Sequence, residues 1–325
     1  MDSITQAALG AAIGEATLGT KIGRKGALIG AVVASIPDLD VLLTPFYDEL
    51  QKVSIHRGYS HSILFCLLAS LLLMLIMKRW KWTKDISMKR LWFFSFLSLF
   101  THVLLDAFTT YGTQLFLPFS DLRVSFDSIN IVDPIYTLPL IIGVCLSIFL
   151  YKKTDLKRGL PNKVGLIMSS LYLIFTLINK QHIEAEFSKQ LASQGIQYSE
   201  MLSVPVQVGN LNWYGVVKDS THLYIGKYSK IDQNDIEFHS FPINEHLLDD
   251  LDKTLIYRMK WFAQDFYVVA EHDGKTRIYN MQCDMQGVRT FGSYKAPTAF
   301  YYEITPKVNG DYQLKVGMQE SDTPR

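Results

Sequence analysis

The chain predicts a polytopic α-helical membrane domain followed by a β-rich extracytoplasmic domain. Three observations predict it. Apolar runs of near-membrane length are confined to the first 180 of 325 residues, although hydrophobic residues make up 48% of the whole. Basic residues crowd alternate connectors between those runs. Beyond residue 200 the pattern becomes short β-branched and aromatic stretches bounded by Asp-Gly and Asn-Gly. The expected divisions are 1–180, a helical membrane domain; 181–200, an amphipathic linker helix; and 201–325, the β-rich domain.

Within the first division four strong spans are expected: Ser62–Met77, Leu91–Phe108, Pro134–Tyr151 and Val164–Ile178. Each lies near the lower limit of about 17–20 residues for crossing the hydrocarbon core. Lys78, Arg79, Lys81, Lys84, Lys89 and Arg90 crowd the first connector, and Lys152, Lys153, Lys157, Arg158 and Lys163 the third. The middle one, 109–133, carries only Arg123. Lys and Arg accumulate on the cytoplasmic side, so the middle connector and everything after residue 180 are expected outside. Ahead of these spans, Ile4–Gly19 and Ala27–Ile36 are rich in Ala and Gly, with Gly10/Gly14 and Gly26/Gly30 at the spacing of close-packed helices. They read either as a short helical pair dipping in from outside or as two full spans. Glu15 lies within the first, where an acid is either functional or a helix–helix hydrogen-bond partner. The opening Met1-Asp2-Ser3 has no basic leader and the first lysine is Lys21, so insertion through uncleaved segments is expected.

On this topology the polar outliers fall on one membrane face. Asp38 and Asp40 follow Pro37; His56 and His61 precede the first strong span; His102 and Asp106 lie near the outer end of the second; Asp133 precedes Pro134. Asp2 and Gln6 begin the chain on that side. His102 and Asp106 are one helical turn apart and can share an ion. His56 and His61 cannot both face one way on a straight helix, but a turn at Gly58 could bring both inward, or one could ligate while the other orients a partner. Imidazole with carboxylate suits zinc, or a pair of divalent ions. The metal ligands expected are therefore Asp38, Asp40, His56, His61, His102, Asp106 and, more weakly, Asp133. Whichever of Asp38 and Asp40 is not a ligand is the expected general base. Arg57 either neutralises an anionic substrate or faces headgroups.

Met1-Asp2-Ser3-Ile4-Thr5-Gln6, Ile36-Pro37-Asp38-Leu39-Asp40, His56-Arg57-Gly58-Tyr59-Ser60-His61-Ser62 and Thr101-His102-Val103-Leu104-Leu105-Asp106 together resemble the YdjM/YbcI family of bacterial inner-membrane metal-dependent hydrolases, over roughly residues 1–180. The resemblance implies a membrane-bound hydrolase and fixes no substrate. A looser likeness is to the zinc-dependent phospholipase C and P1-nuclease group, where a His-x-x-x-Asp helix with further His and Asp builds a multi-zinc site. That likeness implies a phosphoester substrate, lipid included. Gln6 stands where members of the wider family carry His. Gln is a poor zinc ligand, so the resemblance implies fewer ions here, or no ligand from the first segment.

In the linker division, Ile183, Phe187, Gln190 and Leu191 recur near helical spacing, which reads as an amphipathic helix leaving the membrane. Phe266–Glu271 and Thr276–Gln282 flank Asp273-Gly274, a strong hairpin signal. Tyr301–Thr305 and Tyr312–Val316 flank Asn309-Gly310; Val216–Lys218 and Leu223–Lys227 suggest a third hairpin. His222, His239, His246 and His272 lack paired ligand spacing and read as surface or turn residues. The aromatics Trp213, Tyr214, Trp261, Phe262, Phe266 and Tyr267 read as core. Cys66, Cys145 and Cys283 are too scattered for a disulfide framework. A net charge of +1 points to no nucleic-acid partner. The expected partners are the lipid bilayer and a lipid or phosphoester substrate. Two other readings compete: a non-enzymatic sensor or partner-binding protein with a structural metal or polar knot, and a transporter using Glu15, His102 and Asp106. The transporter predicts polar groups spread through the membrane depth, the reverse of the observed placement.

Overall fold

The computed structural model describes residues 1–206, 208–232, 234–282, 300–306 and 312–318. They form two compact units: Met1–Thr44 with Ile55–Asn179, and Pro45–Ser54 with the chain from Lys180 on.

The first unit is helical. Asp2 caps α1 (Ser3–Ile22) by accepting from the amides of Ile4 and Thr5. Gly23, at φ 64°, turns the chain into α2 (Arg24–Ala34). The two helices touch backbone to backbone: a Cβ on Gly14 or Gly30 would collide with the facing helix's carbonyl. A 3-10 segment, Pro37–Phe46, and the short α3 (Glu49–Ile55), whose residues up to Ser54 belong to the second unit, lead to a second 3-10 turn, Tyr59–His61. Then come α4 (Ile63–Lys78), α5 (Met88–Ala107), α6 (Pro134–Leu150) and α7 (Gly159–Ser193). Ser62, Ser87 and Asp133 cap α4, α5 and α6, and Pro134 at the first turn of α6 needs no amide partner. α1 runs antiparallel to α5: Gln6 hydrogen-bonds Asp106 and the carbonyl of His102 at one end, and Arg90 reaches the Thr17 carbonyl at the other.

This unit is apolar on its outside as well as in its core. Leu64, Leu67, Leu68, Leu71, Leu72 and Leu75 of α4 point outward, as do Ile142 and Phe149 of α6 and Ile167, Leu171 and Ile174 of α7. Exposed apolar side chains in this number point to association with a membrane. Among the described residues three stretches are long and apolar enough to cross a membrane: Arg24–Phe46, Met88–Ala107 and Gly159–Ser193. Of the four expected spans, those in α5 and α7 meet that length. α4 and α6 are apolar but shorter, at 16 and 17 residues. Glu15, buried in α1, takes a two-pronged ion pair from Arg158 at 2.7 and 2.8 Å, so it is a helix-packing group. The linker helix expected at 181–200 is not separate. No proline interrupts the chain after Pro161 until Pro205, and α7 runs unbroken to Ser193.

In the second unit β1 (Glu200–Pro205), β2 (Asn212–Lys218), β3 (His222–Ser229) and β4 (Phe238–Pro242) form one antiparallel meander. A 3-10 turn and α8 (Lys253–Phe262) separate it from a second, β5 (Tyr267–His272), β6 (Lys275–Asn280), β7 (Phe300–Pro306) and β8 (Tyr312–Met318). The sheets share a core of Leu202, Val204, Tyr214, Val216, Phe266, Val268 and Tyr279. Strand alternation sends the next residues outward to helices. Trp213 meets Ile183 and Phe187 of α7, and Val269 and Ile278 meet Leu255 and Met259 of α8. The result is a helix–sheet–sheet–helix stack. Gly215 is required in β2 because a Cβ there would strike the Phe187 ring. Trp213, Tyr214, Phe262, Phe266 and Tyr267 are buried, as core. The Asp273-Gly274 hairpin forms as expected, both residues at positive φ between paired His272 and Lys275. The Asn309-Gly310 turn and Cys283 lie outside the described residues; Cys66 and Cys145 are free thiols.

Candidate metal centre

Four donor atoms converge at one end of the helical unit. They are Oδ1 of Asp38 (first 3-10 segment), Nε2 of His61 (second 3-10 turn), and Nε2 of His102 and Oδ2 of Asp106 (both α5). His61 Nε2 lies 3.5 Å from Asp38, 3.3 Å from Asp106 and 3.4 Å from His102 Nε2. His102 Nε2 lies 3.4 Å from Asp38 and 3.6 Å from Asp106. The remaining separation, Asp38 to Asp106, is within 4.8 Å. Tetrahedral edges of that size put a centre about 2.0–2.2 Å from each corner, the range in which imidazole and carboxylate hold zinc. The donor set therefore fits a divalent cation, and this cluster could hold a metal ion.

Local folding explains each position. His102 and Asp106 share a face of α5 because they are four apart. Arg57 (φ 57°) and Gly58 break the chain between α3 and the Tyr59–His61 turn, so His61 points inward while His56 does not. Three of the four corners are fully enclosed; only Asp38, at 27% side-chain exposure, is open.

A second layer holds the corners. Asp40 accepts from Ser60 Oγ (2.9 Å) and the Arg57 amide (3.1 Å), and its carboxylate lies 3.4 Å from His61 Nδ1. Ser60 Oγ also meets His61 Nδ1, at 2.9 Å. A carboxylate behind a ligating imidazole fixes its tautomer and raises its basicity. His56 bonds the other side of Asp40 at 3.1 Å and stands outside the four-atom group. Asp106 divides its oxygens: Oδ1 takes Gln6 Nε2 (2.9 Å), the Met1 amino group (2.5 Å) and Arg57 (3.4 Å), leaving Oδ2 for the imidazoles. Gln6 thus positions a corner rather than forming one. Asp133 is apart from the group, capping α6 and accepting from the Tyr172 hydroxyl at 2.7 Å. His102 Nδ1 and Ser98 Oγ, one turn apart on α5, are both buried without a partner.

The electrostatics favour a cation. Burial opposes charge on His61, but hydrogen bonds to Asp106, Asp38 and Asp40 outweigh it and push the imidazole up to about 10. Three carboxylates thus favour positive charge at this ring, and a divalent ion answers the same demand. Ser60, Thr109, Tyr111 and Arg123 complete the surroundings, and sequence alone does not single them out as site residues. Ser60 carried a signal, lying within the HRGYSH stretch. Arg123 stood out only as the lone basic residue of its connector.

The family model described as YdjM inner membrane protein matches residues 1–183, more than half of the chain. The chain belongs to the YdjM family. Among relatives of this YdjM-family chain, the uncharacterized protein YfhP of Bacillus subtilis (strain 168) is 32% identical over 141 residues, covering 41% of this chain and 42% of its own length. The inner membrane protein YbcI of Escherichia coli (strain K12) is 37% identical over 123 residues, 37% of this chain and 69% of its own. The match thus spans less than half of YfhP and about two thirds of YbcI. No solved structure matches.

Proposed function

We propose that this YdjM-family protein is a multi-pass inner-membrane hydrolase with a zinc-type metal centre at the extracytoplasmic face. Its substrate is a phosphoester or related ester, lipid included. The observation that carries the reading is the four-cornered group of Asp38, His61, His102 and Asp106, with Asp40 behind His61. The basic connectors 78–90 and 152–163 lie at the opposite helix ends from this group, which supports its outside placement and that of the C-terminal domain. Lipid access is supported by the mouth. The 113–126 connector is tied to it through Gln114 to Arg57, Leu115 to Ile63 and Phe126 to Ala107. Leu39, Leu42, Tyr59, Phe116, Phe119 and Leu122 stand exposed around it. Such a rim suits the interfacial layer of a bilayer.

In this reading an ion at the four corners supplies Lewis acidity and a water acidic enough to react near neutral pH. The chain's own residues do the rest. Asp40, the aspartate outside the four corners and so the general base expected from sequence, is instead occupied by Ser60, Arg57, His56 and His61 and orients the His61 ring. Asp38, the open corner, keeps an oxygen outside the group and is the carboxylate placed to take a proton where substrate enters. Asp133 serves the α6 terminus.

Metal analysis of the purified full chain beside His102→Ala and His61→Ala, with lipid-phosphoester turnover on the same samples, tests the reading. Both variants are expected to lose metal and turnover together; retained metal with unchanged turnover in both ends it. One observation favours a second reading, a non-enzymatic protein with a structural metal: four protein donors close a tetrahedron, as structural zinc sites do. A cobalt-substituted sample separates the two, because added phosphate changes its visible spectrum only where the ion accepts another ligand.

A further inference from the structure

A cavity in the helical unit has no part in holding the ion. It measures about 310 Å³ and lies among α1, α5, α6 and α7. Leu9 and Ile13 of α1, Leu97 and Leu104 of α5, and Leu166 and Leu173 of α7 give it hydrocarbon walls. Along α5 it runs from Leu97 to Phe108, about 16 Å at about 1.5 Å per residue. A space of that volume and length is about 20 Å² in section, wide enough for one hydrocarbon chain and far too narrow for a helix about 10 Å across. Ala16 and Ser170 line it and are exposed, so the slot opens on the outside of the unit. The opening lies beside Ile167, Leu171 and Ile174, which are exposed and apolar. Such walls offer water few hydrogen bonds, and the surroundings supply lipid.

Hydroxyl groups break the apolar lining. Thr101 gives its own to the Leu97 carbonyl at 2.7 Å and is complete. Tyr136 is only 3% exposed, yet no group among the described residues bonds its hydroxyl. Its tie to α7 is through the backbone, where its carbonyl accepts from Ser169 Oγ at 2.7 Å. A buried phenol normally has a partner, because water no longer serves it. The hydroxyl therefore marks where an occupant must bring an acceptor.

The chemistry is ordered along the slot. Tyr136 stands in the first turn of α6 and Phe108 directly after α5, at the helix ends that carry the metal centre. Leu97 lies about three turns farther along α5. A donor at one end and hydrocarbon for the rest match an esterified acyl chain, with its carbonyl first and its tail inward.

We propose that this slot binds one ester-linked acyl chain of a membrane glycerolipid, with Tyr136 donating to the ester carbonyl. Leu105 lines the slot and Asp106 is a metal corner, so α5 carries the two sites on neighbouring faces. Binding of the chain does not depend on the hydrolase reading.

The test is photocrosslinking of the full chain in bilayers with a phosphatidylcholine that bears a diazirine midway along one acyl chain. Labelled residues are mapped by mass spectrometry, with metal content and thermal unfolding read on the same samples. Wild type stands beside Ala16→Phe and Ser170→Phe, which fill the slot from exposed positions, and Tyr136→Phe, which removes only the hydroxyl. In wild type the labels are expected on Ile13, Leu97 and Leu104. In the two filled variants those labels fall to the level of outward residues, with metal retained. In Tyr136→Phe labelling at half-saturating lipid falls roughly three- to tenfold, the worth of one hydrogen bond. An ether-linked analogue, which lacks the carbonyl, labels wild type and Tyr136→Phe alike. Labels confined to Leu171 and Ile174, or undiminished in both filled variants, overturn the proposal. So does Tyr136→Phe labelled as strongly as wild type by the ester lipid. If neither filled variant folds, Tyr136→Phe decides alone. Slot labelling in a protein without metal or turnover keeps the slot and removes the hydrolase; turnover with outward labels only does the reverse.

Discussion

Two buried charge clusters lie along α1, and they are built on opposite principles. Near its C-terminal half Glu15 meets Arg158 with two short bonds, and the charges cancel within the protein. Near its N-terminus Gln6 leads to a cluster where Asp38, Asp40 and Asp106 outnumber Arg57 and the Met1 amino group, and where the open sides of two imidazoles and two carboxylates face one another. The first cluster is complete as it stands and joins helices. The second is complete only with a further positive charge. Charge surplus, more than burial, separates the site from the scaffold.

Breaking the complete pair has the largest expected effect. Glu15→Ala leaves Arg158 buried without its partner and costs about 3–5 kcal/mol in unfolding free energy, read by thermal or denaturant unfolding in detergent. Metal bound per folded molecule stays at the wild-type level. Adding Arg158→Leu to a Glu15→Leu background recovers most of that stability, whereas apolar substitution of the metal corners recovers no metal binding. A Glu15 variant that folds but has lost its metal would dissolve the distinction between the two clusters. Asp40→Asn comes next. It should weaken metal affinity about 10–100-fold in a chelator competition, with unfolding little changed, because Asp40 acts through the His61 ring.

A carboxylate of a third kind marks the low end. Asp219 closes the β2–β3 turn by accepting from the amides of Thr221 and His222 at 2.7 Å. Those bonds, with the Tyr224 hydroxyl, hold its carboxyl down at about 2. A depressed acid contributes stability above its ordinary value, and that contribution fades as pH falls through about 2. Asp219→Asn should therefore cost no more than about 1 kcal/mol at neutral pH in so solvent-screened a turn, and nothing in strong acid. Paired unfolding curves across that interval check it, and metal content is unaffected.

How much of this was legible in the sequence depends on range. Imidazoles and acids beside apolar runs stand out because such places rarely keep them, so His61, His102, Asp106 and Asp38 could be named from type and spacing. Which of two aspartates became a corner could not. Pro37–Phe46 is 3-10 helix, where residues two apart point to different sides. Asp38 therefore faces the imidazoles, and Asp40 backs one of them. A similar twist at Arg57-Gly58 sends His56 outward. The convergence of Arg57, Tyr111 and Arg123 is a tertiary event with no local pattern. The α1–α2 contact and the Asp273-Gly274 hairpin were readable because each depends on glycines at fixed offsets. The composition change at residue 180 marks where the two compact units divide, but it does not end a helix, and α7 runs across it.

Asp106 carries a consequence of its own. With Gln6 and Arg57 both donating to Oδ1, an amide at this position could take only one orientation, its oxygen toward those donors and its NH2 toward the imidazoles. Asp106→Asn, nearly the same shape, would thus turn a lone pair into hydrogens at the corner itself, and should repel a cation more thoroughly than a simple truncation would.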